Sequence, residues 1–546
     1  MTVQNRSLRV RWSVLAAYGV FGLARLASAQ AEADGAEAGG VVAAQAAGAR
    51  AKTAPRCYAT TRDLARAYLE LERTFAARSD SLNVETLRAV NEGFDDATGY
   101  FFMGDYSNAV RAIHEQTDRM ALDPELARSC RPFRGLTIDL PLMITWREGR
   151  ASLQPTLRWL YPPRCETEPR QPVRVCIPEH GYTRSERLRT IVPEPGESLK
   201  VALTLPGGNI GKTTLTIITH DGVRCGDNSV FIVPDDCFSD QTGHSGGLST
   251  NIEQFKQDMH AALASAERTH PQLAASIAAC RARVNVLTPD DADSSGMYEA
   301  LDLAAIMFNV RIESAALSRG EDPYKDAVGD FWTVFDTGGA TFPLRLYAPR
   351  QPESYGPMPL VIALHGAGGD ENLWMDGYGA GVLKRIAEVD RFILVSPRIS
   401  IGSASPEMFD AIVDGVSRWY EIDRSRIYLI GHSRGGGVVT AWSKLRADKV
   451  AAACTIAGIG TMTGTHRLPP TLAVAGEMDT LIRPERIRAG VESARAAGLP
   501  VEYREYANYG HALVAGKAAR EGSAWLMGHR LGEPPAAARS EGQRPR

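Results

Sequence analysis

The chain has 546 residues, of which 44% are hydrophobic and 23% charged, and its formal net charge is −3. That length allows two to four domains, and the composition is that of an ordinary globular protein. A near-neutral charge with no basic stripe interleaved with aromatics excludes a nucleic-acid partner.

The N-terminus reads as an export signal. Arg6, Arg9 and Arg11 form a positive region, residues 14–23 a short apolar stretch, and Ala27-Ser28-Ala29 a small-residue cleavage site. Residues 1–29 are therefore assigned to a signal peptide, which predicts a secreted or periplasmic protein. No other apolar run reaches the ~18 residues of a membrane span, so none is expected after cleavage. Residues 30–55 are rich in Ala and Gly and hold too few large apolar groups to fold, which reads as a disordered linker. Export agrees with the cysteines: six of the eight lie from Cys57 to Cys237. Cys57/Cys130, Cys165/Cys176 and Cys225/Cys237 are one of many pairings they allow. Their spacing offers no zinc pattern, and no metal is predicted. Cys454, in an apolar run, reads as a buried inert thiol.

Residues 56–135 show helical spacing in Leu64, Tyr68, Leu71 and Phe75 and again in Phe102, Tyr106, Val110 and Ile113, which predicts a small helical hairpin. Short alternating runs separated by Gly, Pro and Asn then predict a β-sandwich-like module over 136–237. Its Trp146, Trp159 and Tyr161 read as core aromatics. Residues 238–325 are read as a loop and a helical linker, with helical patterns over 251–282 and 296–317. Over 326–531 apolar strands alternate with helical segments, which predicts an α/β domain: a mainly parallel sheet with helices on both faces. FWTVFD and PLRLYAP open it as an antiparallel hairpin. PLVIALHG, RFILVSP, RIYLIGHS, AAACTIAG and TLAVAGE follow as buried strands, and VEYREYAN as the last. Residues 532–546 read as a disordered tail.

Residues 426–437, RIYLIGHSRGGG, are a buried-type strand, a G-x-S-x-G turn and a helix start. A serine on such a turn is pushed out above the sheet, where a base can reach it. Gly243-His244-Ser245-Gly246-Gly247 fits the same pattern but follows no apolar strand, so Ser245 reads as a linker residue. A serine nucleophile needs a base, and the base needs a carboxylate to hold its tautomer. Asp479 directly follows TLAVAGE and His511 directly follows VEYREYAN. Both are thus expected at the strand ends where Ser433 sits, and Ser433…Asp479…His511 is the chain order of the α/β-hydrolase triad. The glycine-rich turn LHGAGGD offers a second backbone donor. The N–H groups of Ala367 and Arg434 are the expected oxyanion pair.

On the motifs LHGAGG, GHSRGG, GEMDT and YGH, residues 331–530 resemble an α/β-hydrolase serine esterase. They are similar to the carboxylesterase/thioesterase and the polyhydroxybutyrate-depolymerase or feruloyl-esterase-like groups. The resemblance implies ester hydrolysis through an acyl-enzyme with no cofactor. Arg434, where smaller residues are common, is expected to attract an anionic substrate or to pair with a carboxylate. Alternative readings are a serine peptidase of prolyl-oligopeptidase type and a non-catalytic binding protein.

Several neighbours have competing roles. Asp479 also suits a cap for the helix near Pro484. Asp423, Glu477 and His466 are substitutes. His365 is expected to brace the oxyanion loop, and His432 to pack beside the turn. Trp374 and Tyr378 are read as walls of the acyl pocket or as core. Only about a dozen residues join AAACTIAG to TLAVAGE, so no lid is expected there. The open rim this implies suits a polymer-attached ester. The oligomeric state is left open.

Overall fold

The structure, a computed structural model, describes residues 57–122, 134–139, 156–162, 252–286, 303–350, 356–399, 404–460, 462 and 467–533, with the remaining strands between 143 and 234. These belong to one compact unit, Pro55–Arg546. The signal sequence, the linker over 30–55, the second G-x-S-x-G and His466 lie outside the described residues. So does most of the tail, and at least one member of each suggested cysteine pair. Among the described residues no helix is long and apolar enough to cross a membrane.

Three helices come first: α1 (Thr61–Arg78), α2 (Val84–Phe102) and α3 (Tyr106–Arg119). Each begins at a side-chain cap. Thr60 and Asp63 form a capping box, Asn83 accepts the Thr86 N–H at 2.8 Å, and Asp105 accepts the Asn108 N–H at 3.1 Å. Ten short strands follow: β1 (Leu136–Asp139), β2 (Met143–Trp146), β3 (Ala151–Leu153), β4 (Thr156–Trp159), β5 (Val173–Cys176), β6 (Leu188–Thr190), β7 (Ser198–Lys200), β8 (Leu203–Leu205), β9 (Gly211–Ile218) and β10 (Arg224–Pro234). They form sheets of order β2-β10-β9-β5-β6, β1-β4-β7 and β3-β8. Buried Arg158 on β4 fastens this region to the start of α1. It donates to Asp63 at 2.8 Å, to the Tyr58 carbonyl at 2.7 Å and to Asp139 at 2.5 Å. Trp159 and Tyr161 are buried, as core aromatics should be.

Helices α4 (Ile252–Thr269), α5 (Ala274–Val286) and α6 (Leu303–Ser318) come next. The single helix expected over 251–282 is two, broken at His270–Pro271. Proline lacks the N–H that would continue the ladder, and its ring clashes with the preceding turn.

The largest sheet is built from β11 (Gly329–Asp336), β12 (Thr341–Ala348), β13 (Met358–Leu364), β14 (Ile393–Pro397), β15 (Ile422–His432), β16 (Ala452–Ile456), β17 (Thr471–Gly476) and β18 (Val501–Tyr506). Between and after them run α7 (Val382–Asp390), α8 (Pro406–Ser417), α9 (Arg434–Leu445), α10 (Pro484–Ala496) and α11 (Val514–Met527). The strand order is β11-β12-β14-β13-β15-β16-β17-β18. The first two strands form an antiparallel hairpin, and β13 to β18 run parallel.

The central strands are apolar throughout because both faces are covered. Leu360, Ile362, Ile427 and Leu429 turn to one face and join a core with Leu263, Ile277 and Met307 of α4–α6. Val361, Ala363, Tyr428 and Ile430 turn to the other and join Leu71, Phe94 and Ile113 of α1–α3. Both helical segments that precede the sheet in sequence are therefore part of its packing.

Buried Arg345 on β12 ties the sheet edge to the turn before α7. It donates to Asp330 at 2.6 Å, to Asn372 at 3.0 Å and to Asp376. Lys384 reaches the same two carboxylates at 2.9 and 2.8 Å. Arg345→Ala is expected to lower the stability by about 3 kcal/mol, because it leaves two carboxylates to Lys384 alone and Asn372 Oδ1 without its donor. Urea unfolding checks this, and a loss below about 1 kcal/mol would mean that Lys384 alone suffices.

Candidate active site

Ser433 lies between β15 and α9 with φ 53° and ψ −118°, a left-handed backbone that a non-glycine residue adopts at a cost of about 1–3 kcal/mol. Its N–H donates to the Ile456 carbonyl at 2.8 Å, and its carbonyl accepts the Gly436 N–H at 3.0 Å. Strand and helix pass in backbone contact here. A Cβ on Gly435 would lie 2.2 Å from the Leu364 carbonyl oxygen, and one on Gly431 would lie 2.5 Å from the Gly435 backbone. With this strand–serine–helix turn in the middle of that strand order, the fold is decided. It is the α/β-hydrolase fold.

Three side chains from three loops meet in series. Ser433 Oγ is 2.9 Å from His511 Nε2, and His511 Nδ1 is 2.8 Å from Asp479 Oδ2. Asp479 follows β17 and His511 follows β18, so both stand at the carboxyl edge of the sheet beside Ser433. Asp479 Oδ1 accepts the Leu481 and Ile482 N–H groups at 2.9 and 2.7 Å, which fixes its rotamer. It does not cap α10, whose cap position is Arg483. Asp423 instead pairs with Arg426, and Glu477 accepts the Asn508 N–H.

The loop after β13 is braced by two neutral histidines. Burial pushes His365 down to about 4; its Nδ1–H donates to the Gly366 carbonyl at 2.7 Å, and its Nε2 accepts the Ile399 N–H at 3.0 Å. Burial pushes His432 down to about 3. Its Nε2–H donates to the His511 carbonyl at 2.8 Å, and its Nδ1 accepts from the Tyr378 hydroxyl at 2.9 Å. The same hydroxyl accepts the Gly366 N–H at 3.2 Å. Tyr378 thus links the loop of Ala367 to that of His511. The Arg434 guanidinium donates to the Ile399 carbonyl, and no carboxylate pairs with it among the described residues.

A cavity of about 550 Å³ opens over Ser433 and His511, lined on the sheet side by residues 366–370, Leu373 and Tyr378. Trp374 does not line it. The turn over Leu373–Gly377 points Leu373 outward and leaves Trp374 fully buried behind Tyr378, at a ring distance of 4.8 Å. Its place is the core.

The rim is also not open. The connection between β16 and β17 is indeed short, but α1–α3 cover the site instead. They supply Leu64, Tyr68, Phe94 and Phe101 to the cavity. On α2, Asp95 accepts the N–H of His511 at 2.9 Å and of Ala512 at 3.3 Å, while Asn91 accepts that of Gly510 at 2.9 Å. On α1, Glu72 accepts the Gly379 N–H at 3.0 Å and the Tyr68 hydroxyl at 2.9 Å. Leu64 and Tyr68 show in the sequence only as helical spacing, and Glu72, Asn91, Phe94, Asp95 and Phe101 do not stand out in it.

No family model matches the chain. Over 169 residues it is 25% identical to a bifunctional acetylxylan esterase/xylanase from Neocallimastix patriciarum, which covers 29% of this chain and 24% of that protein. The chain thus spans about a quarter of that relative's length. Among solved structures, an S-formylglutathione hydrolase from Staphylococcus aureus is 14% identical, covers 36% of this chain and 98% of its own, and has a TM-score of 0.32. A ferulic acid esterase is 14% identical, covers 37% and 98%, and has a TM-score of 0.31.

Asp95→Ala removes the acceptor of two N–H groups beside the imidazole. It is expected to slow labelling of Ser433 by a fluorophosphonate roughly 10–100-fold with the helix content unchanged. An unchanged rate would show that the loop holds itself. Burial raises Glu72 to about 8, so the fold favours its protonated form. The stability from this group is complete below about 4.5 and is lost as pH rises through about 8. Melting temperature should therefore fall with pH across that window, and Glu72→Gln should flatten the fall.

Proposed function

We propose that the chain is a serine ester hydrolase that works through an acyl-enzyme. The observation that carries this reading is the hydrogen-bonded series Ser433–His511–Asp479 at the mouth of a cavity. Ser433 is the nucleophile, and its Oγ attacks the ester carbonyl carbon. His511 Nε2 takes the hydroxyl proton and returns it to the leaving alkoxide, while Asp479 holds the Nδ1–H tautomer and stabilises the imidazolium. The backbone N–H groups of Ala367 and Arg434 are the donors to the oxyanion, each worth about 2.7–4 kcal/mol in the transition state. Water activated by the same imidazole then releases the acid. This chemistry requires no cofactor or metal.

The braced tautomers of His365 and His432 favour the reading, because they hold the oxyanion loop and the His511 loop without competing for the proton. Residues 1–29 support export, so the ester is met outside the cytoplasm, and an exported chain suits disulfides among the cysteines from Cys57 to Cys237. The match to an acetylxylan esterase/xylanase makes esters carried on a polysaccharide a substrate to include in any screen.

Hydrolysis of p-nitrophenyl acetate tests the reading. Ser433→Ala is expected to lower kcat/KM by at least about 10⁴-fold, and Asp479→Asn by roughly 10³–10⁴-fold. Ser245→Ala should leave it unchanged. A wild-type protein that neither hydrolyses esters nor takes up a fluorophosphonate at Ser433 would overturn it.

A further inference from the structure

The cavity over Ser433 has two walls of different origin. The sheet contributes the loop with Ala367, while the facing wall comes from α1–α3 and is aromatic. Tyr68 and Phe94 stack at a centroid distance of 5.6 Å, and Phe101 packs edge-on against Phe102 at 5.2 Å. Phe101 reaches the oxyanion loop itself: a Cβ on Gly368 would lie 2.3 Å from its ring. Phe101 and Ser433 thus line the same cavity. The apolar lining includes exposed residues, Phe102 at 57% and Leu481 at 43%.

The charges that line the cavity do not suit an ionic ligand. Among the described residues they are Asp370 and Arg398. Arg398 is committed to Glu371 at 2.7 Å, and Asp370 is buried, which raises its pKa. A cavity of about 550 Å³ is also far larger than an acetyl group fills. Leaving apolar walls wet forfeits the burial that would drive binding.

We propose that this cleft selects uncharged esters bearing one bulky apolar substituent, aryl or medium-chain alkyl, and that α1–α3 are its specificity element. The proposal rests on the ester-hydrolase reading. The substituent is on the acyl or the alcohol side of the ester, and the same chemistry recognises it in either case.

Two series of soluble esters, followed by acid release from the full-length protein, separate the sides. The acyl series is ethyl acetate, ethyl octanoate and ethyl 3-phenylpropanoate. The alcohol series is ethyl acetate, hexyl acetate and benzyl acetate. In one of them the bulky members should exceed ethyl acetate in kcat/KM by at least about tenfold. Phe101→Ala should cut that ratio about tenfold, and Phe102→Ala, an exposed position that does not endanger folding, should cut it severalfold. Equal or lower kcat/KM for the bulky members of both series, a ratio that neither variant moves, or acetylated xylan as the preferred substrate would overturn the proposal alone. Hydrolysis of no ester, with Ser433 unlabelled by a fluorophosphonate, would overturn the ester-hydrolase reading and this proposal with it.

Discussion

Everything at the site depends on one strained residue. Ser433 keeps a left-handed backbone because β15 and α9 cross in backbone contact, and because Ile456 and Gly436 hold its own amide groups. Strain of this kind survives only where the surroundings over-determine it. Here the surroundings are a parallel sheet packed on both faces, rigid enough to absorb a cost of about 1–3 kcal/mol. The reward is a hydroxyl presented above the sheet edge, within 2.9 Å of an imidazole.

The loop that carries the imidazole is held by the helices before the sheet as well as by the sheet. The loop after β18 is clamped through the backbone N–H groups of residues 510–512 to Asp95 and Asn91. The turn after β13 is tied to Glu72 through Gly379. A segment that looks like an accessory in sequence therefore acts as wall and support together. It joins one face of the core, supplies a wall of the cavity and binds the backbone of the His511 loop.

What the sequence reveals and conceals follows from the range of the forces involved. The strands of the sheet are legible because burial on both faces makes them unbroken apolar runs. Ser433, Asp479 and His511 are legible because each directly follows such a run, and the ends of parallel strands share an edge. Asp95 is not: an acidic residue on a helix reads as solvated, and only the fold brings the 510–512 loop against it. Phe101 looks like any apolar residue at helical spacing, since periodicity reports that a face is buried but not against what. Trp374 misleads for the opposite reason. Nearness in sequence to the oxyanion loop suggests a wall, and one turn of helix rotates it into the core.

The contacts between Asp95 and the loop of His511 join residues 416 apart in the chain. Closing so long a loop is slow, and no part of the nascent polypeptide can form the site until the last strand has emerged. A fragment beginning at β11 would keep its nucleophile turn and the α7 and α11 residues that pack on Val361, Tyr428 and Ile430, but would lose the α1–α3 part of that core and the α4–α6 residues on the other face. Excising the hydrolase unit at the boundary that its motifs suggest would thus remove one wall of the cavity and the partners of the 510–512 backbone.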